Sequence, residues 1–171
     1  MSAWQFRIEI LPVDGLVARH GAVPKELAAM KLSDAGAIDD GKPGTDELPR
    51  YWRGYLEFGA FETAIGGLLP ERESWSELAR MFGVNGEDEA AIWRAEDGSV
   101  SRISLSFSLR EPNVQFIHSA LDCASSFKCV FHGIQSHQIF SPSMAEFVAH
   151  AEKCSAARFV PTEKPLSSML A

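Results

Sequence analysis

The chain has 171 residues, of which 46% are apolar and 23% charged, a composition that supports a folded core and excludes a low-complexity or disordered chain. Its formal net charge of −7 sets a field that repels phosphate backbones and anionic lipid headgroups, so neither nucleic acid nor a membrane surface is the expected partner. Cys123, Cys129 and Cys154 follow no repeating frame and are read as free buried thiols in a reducing compartment.

The opening "MSAWQFRIEILPVDG" breaks its apolar residues with Arg7 and Glu9, and no apolar run approaches spanning length. We therefore expect a cytoplasmic, soluble protein. Residues 4–11, "WQFRIEIL", set Trp4, Phe6, Ile8 and Ile10 against Gln5, Arg7 and Glu9, the period of a half-buried strand ending at Pro12 and Asp14-Gly15. "VPKELAAMKL" places Pro24 at a first helical position and predicts a short helix. Residues 33–49, "SDAGAIDDGKPGTDELP", gather Gly, Pro and Asp and predict an exposed loop. Within "YWRGYLEFGAFETAIGGLLP" a strand or turn should lead into a helix over 57–69. Trp4, Trp75 and Trp93 are expected in the core, given apolar, periodic surroundings.

"AAIWRAEDGSVSRISLSFSLR" predicts an antiparallel hairpin, with strands over 90–95 and 100–110 joined at Asp97-Gly98. Ile103, Leu105, Phe107 and Leu109 form its apolar side, and Ser104, Ser106 and Ser108 its wet side. Val114, Ile117, Leu121 and Ala124 recur at helical steps and predict a helix over 113–126 that covers the apolar side. "KCVFHG" and "HQIF" are two further short strands. Ser141-Pro142 introduces a last helix whose inner face holds Met144, Phe147, Val148 and Ala151. The expected fold is a single α+β domain over 1–171: a mainly antiparallel sheet with helices on one face, ordered strand-strand-helix-strand-strand-helix in its C-terminal part.

Motifs for chemistry are few. The serines lie on a strand rather than on the sharp Gly-x-Ser-x-Gly turn that presents a nucleophile. Cys123, Cys129, His132 and His137 have thiolate and imidazole groups suited to zinc. Cys129 and His132 nevertheless differ by three residues and point to opposite faces of an extended strand, so no metal is expected. His150 and Cys154 stand one helical turn apart without an orienting acid. No phosphate-cradling or dinucleotide Gly-rich motif occurs. No catalytic residue and no cofactor is assigned.

Binding remains. Asp39, Asp40, Asp46 and Glu47 are acidic residues of the 33–49 segment, and "RYWRGY" follows at once. Its Tyr51, Trp52, Arg53 and Tyr55 have the residue types of interface anchors, although Trp52 could equally close the edge of a core. Residues 71–97 add Glu71, Glu73, Glu77, Glu87, Asp88, Glu89, Glu96 and Asp97 against Arg72, Arg80 and Arg94, a field that a basic partner would feel.

From Trp75 onward the order of parts carries a resemblance. Trp75 and Phe82-Gly83 precede an acidic hairpin, then come "RISLSFSLR", a helix with "ALDCA", "SPSMAEFVAHAEKCS" and "SAARFV". This order resembles small bacterial immunity-type proteins encoded beside toxins, including type VI secretion effectors. The resemblance implies cytoplasmic neutralisation of a protein toxin by binding, without catalysis. A general interaction or regulatory module, and a small enzyme without a recognisable motif, are the alternatives.

Overall fold

A computed structural model of the chain describes residues 4–27, 48–159 and 168. Strand β1 (Gln5–Pro12) is followed by helices α1 (Val13–His20), α2 (Leu48–Trp52) and α3 (Phe58–Gly66). Strands β2 (Glu71–Arg72), β3 (Ala79–Gly83), β4 (Glu89–Arg94) and β5 (Val100–Ser108) lead to α4 (Val114–Ser126). The chain then forms β6 (Cys129–Gly133), β7 (Ile139–Phe140), α5 (Met144–Lys153) and a 3-10 turn over Ser155–Phe159. The strands make one seven-stranded sheet in the order β2-β3-β4-β5-β1-β6-β7, every pair antiparallel. This is the expected α+β fold, with the expected β4-β5-α4-β6-β7-α5 order.

Alternation decides which side chains meet. Phe6, Ile8 and Ile10 of β1, Ile103, Leu105 and Phe107 of β5, and Phe131 of β6 share one buried cluster with the inner faces of α3, α4 and α5. Phe107 is its hub, with ring centroids 5.0 Å from Phe116 of α4 and 4.9 Å from Phe147 of α5. Burying each such ring contributes about 1.5–3 kcal/mol. Polar caps fix where the two covering helices begin: the Asn113 side chain accepts from Phe116 N–H, and Ser143 Oγ accepts from Glu146 N–H. Both follow the helix-start chemistry of Asn and Ser.

The first strand ends at Pro12 as expected, and Asp14 already lies in the first turn of α1, where a Cβ at Gly15 would collide with the Tyr51 carbonyl oxygen. Gly15 therefore lets α1 press directly on α2. Three expectations need correction. Residues 24–27 are extended rather than helical: Glu26 bridges Gln138, and Leu27 N–H donates to His137 O at 2.9 Å. The rest of the expected helix, and all of the 33–49 loop up to residue 47, fall outside the described residues, while Leu48 already begins α2. Trp75 is 78% exposed, and Trp4 and Trp93 are half-buried outside the core clusters, rather than in the core. Finally, Ser108 is buried, its N–H donating to Asp88 Oδ1 at 2.8 Å, so the wet side of β5 ends at Ser106.

Candidate protein-binding face

Opposite the helices, cross-strand register assembles a second face. Met81, Ala91, Ser104, Glu9 and His132 form one row across five neighbouring strands. Trp93 and Arg102 pair in the next row, and Ser106 and Arg7 in the row on the other side. The serines of "RISLSFSLR" are thus the small residues of a polar sheet face. Ser104 stands directly across from Glu9 and Ser106 from Arg7.

A continuous line of side chains crosses this face. Trp75 packs against Trp93 with the rings tilted by 59° and their centroids 5.4 Å apart, and the Arg102 guanidinium lies over the Trp93 ring at 5.5 Å. Arg102 Nε stands 3.8 Å from Glu9 Oε1. Glu9 Oε2 is 3.0 Å from His132 Nδ1, and the His132 ring lies 6.2 Å from that of His137. Trp93 Nε1, Arg102 Nε and His132 Nε2 are all buried without a hydrogen-bond partner. Such groups are rare in folded proteins, and each costs about 1–3 kcal/mol.

Three exposed acids accompany Trp75 and the β4-β5 hairpin. Glu73 and Glu77 flank Trp75, and Glu96 lies at the β4-β5 turn, all exposed. Glu71 and Glu89 are instead committed to Arg80 and Arg72.

The residues singled out in the sequence are distributed differently. Tyr51 and Trp52 are both core residues. Tyr51 packs with Leu11 and Leu16, its hydroxyl 3.0 Å from His20 Nε2, while Trp52 stacks on Phe61. Neither offers contact area to a partner. Tyr55 is half-buried, and its hydroxyl donates to Phe127 O at 2.8 Å. Burial raises the Tyr55 phenol well above its ordinary range. Arg53 is exposed. Asp39, Asp40, Asp46 and Glu47 lie outside the described residues.

The cysteines and histidines do not converge. Cys129 is buried in the main core while His132 sits on the opposite face, as their odd spacing requires. Burial pushes the Cys129 thiol up to about 12 and that of Cys123 up to about 11, away from thiolate reactivity. Burial also raises Cys154, and His150 stacks on Phe140 at 4.0 Å. No group of three His, Cys, Asp or Glu among the described residues could hold a metal ion. No described helix is long and apolar enough to cross a membrane.

Sequence reasoning missed Trp75, Arg102 and Glu9. A signal for Trp75 was present: in "ERESWSEL" it is flanked by charged and polar residues at every near position, so an inward-facing Trp would drag its neighbours into the core. The Glu9–Arg102–His132 grouping had no local signal, because its members come from three strands separated by most of the chain. No family model matches the chain, and no curated protein or solved structure matches it either.

Proposed function

We propose that this protein is a cytoplasmic immunity protein that binds and neutralises a bacterial protein toxin without catalysis, and that the helix-free face of its sheet makes the contact. One observation carries the binding role. A Trp that is 78% exposed packs at a tilt against a second Trp, beside an arginine whose side chain makes no hydrogen bond to any described residue. Trp and Arg are the residue types that dominate interface energetics, and both gain most when a partner removes them from water. Glu73, Glu77 and Glu96 around them would steer a basic partner toward this face. The toxin as the class of partner comes from the resemblance carried by "RISLSFSLR" and the parts around it.

The test is co-expression with the product of the neighbouring gene, reading growth rescue and co-purification. Trp75→Ala should raise Kd by about 30-fold or more, chiefly through faster dissociation, and Arg102→Ala should add to it. The fold should tolerate the first change, since Trp75 is a surface residue. A toxic neighbour bound equally well by both variants would remove the face from the proposal. A neighbour that is harmless and unbound would leave a general interaction module in place of an immunity protein.

A further inference from the structure

A second feature lies away from the tryptophans, where β6 stops at Gly133 and leaves the start of β1 without its neighbour strand. The gap opens into a cavity of about 290 Å³ between the Phe6–Arg7 stretch of β1, the 133–138 turn, the end of α5 and the 3-10 turn. Its size is near the lower end for small-ligand sites. The turn forming one wall is tightly built: a Cβ at Gly133 would collide with Ser136 Oγ, and His137 holds a left-handed φ of 57°.

The lining has one sign of charge. Lys153 and Arg158 contribute to it, and no carboxylate does, in a chain with 23 acidic residues against 16 Lys and Arg. The Arg7 guanidinium adds no charge to it, being held on the helix-free face by donating to Gln5 Oε1 at 2.8 Å. Lys153 complements the carbonyl end of α5. Arg158 makes no hydrogen bond or ion pair with a described residue and is exposed.

Neutral donors complete the lining. Ser155 donates to Gln135 Oε1 through both its N–H, at 3.2 Å, and its hydroxyl, at 2.8 Å. Those bonds orient the amide and leave its NH2 group to donate. Gln138 and Ser136 stand beside it. Burial lowers His150 below its ordinary range, so it lines the cavity as a neutral ring at pH 7. Its nearest acid, Glu146, lies 3.6 Å away on the solvent side of α5 and does not line the cavity.

We infer that this cavity binds a small phosphate-bearing molecule, with Arg158 and Lys153 meeting the phosphate oxygens and the Gln135 amide donating to them. A guanidinium with an ammonium matches a phosphate dianion in charge, and the guanidinium fork matches its oxygens in geometry. The inference is independent of the toxin-binding reading, because Trp75, Trp93, Arg102 and the acids Glu73, Glu77 and Glu96 do not line the cavity.

Inorganic phosphate is the probe. Titrated against the purified protein at constant ionic strength, it should produce saturable shifts in the backbone amide resonances of Ser136, Gln138 and Ser155. Sodium chloride should not. Arg158→Gln should weaken the apparent affinity by about tenfold or more, as expected for a lost hydrogen bond to a charged group, and Arg158→Lys should restore part of it. Arg53→Gln removes an equal charge from an exposed site elsewhere and should leave the titration unchanged. Because Arg158 and Arg53 are both exposed, the variants should keep the wild-type Tm. Shifts that do not saturate, that chloride reproduces, or that Arg53→Gln weakens as much as Arg158→Gln would overturn the assignment.

Discussion

The two faces of the sheet solve different problems with the same strands. On the helix-covered side, Ile8, Ile103, Leu105 and Phe131 are fully buried and wholly apolar, and the orphaned polar atom in that core among the described residues is Trp52 Nε1. On the other side, Glu9 and His132 are nearly as buried, yet Arg102 approaches Glu9 only at 3.8 Å and three ring or guanidinium nitrogens along the line find no partner. A face that only needed to be wet would carry exposed serines and charges. This one holds partly desolvated polar groups in a line that ends at an exposed tryptophan, the feature on which the proposed partner contact rests.

The sharpest way to break that contrast is a matched pair on one strand. Leu105 is fully buried against the helices, whereas Ser106, its neighbour in sequence, faces the other way. Leu105→Asp places an unpaired charge in the core and should cost several kcal/mol, about 3–5 or enough to prevent folding. Ser106→Ala should change stability by no more than about 0.5 kcal/mol. Urea midpoints of the two variants decide it, and equal losses would erase the distinction between the faces.

Glu9→Ala tests the polar line itself. Glu9 accepts from His132 and is the acid nearest Arg102, so its removal strands a partly buried guanidinium and a buried imidazole together. We expect a loss of about 2–3 kcal/mol, large for a residue on the face without helices. A double change with His132→Leu should cost less than the sum of the single changes, because the two share one hydrogen bond. Additive losses would mean that the Glu9–His132 contact contributes nothing to stability.

These residues also show where sequence reading succeeds and where it stops. The β4-β5 hairpin, α4 and α5 were legible because each is specified by its own few residues: alternation over Ile103–Phe107, the Asp97-Gly98 turn, and apolar steps from Ile117 to Ala124. The place of β1 was not. Its alternation marks it as a strand, but pairing with β5 and β6 brings Glu9 beside Ser104 and His132, contacts across roughly a hundred residues that no local pattern encodes. The same blindness affected Tyr51 and Trp52. An aromatic pair between arginines looks like an interface anchor, yet a short helix packed on β1 and β5 turns both rings inward, Tyr51 onto Leu16 and Trp52 onto Phe61. Trp75 shows the reverse error, since composition favours burial of a Trp while its charged neighbours keep it out.

The smallest expected effect concerns the two histidines that the faces treat differently. His132 has a carboxylate at 3.0 Å on the polar face, whereas His150 is packed flat on Phe140 on the covered side. Burial lowers the His150 proton affinity most, and the Lys153 charge lowers it further against the opposing pull of Glu146. As pH falls through the ordinary histidine range near 6.5, the unfolded chain therefore takes up a proton at this position before the folded chain does. More protons bound by the unfolded state means that stability falls with pH across that window, until the folded-state ring also protonates. Stability contributed by the neutral ring is thus complete above about pH 7 and is lost as the solution is acidified. His150→Phe keeps a ring against Phe140 and removes the titration. Between pH 7.5 and 5.5 the urea midpoint of the wild type should drop further than that of His150→Phe, and parallel pH profiles would show that His150 is solvated in the folded protein as freely as in the unfolded chain.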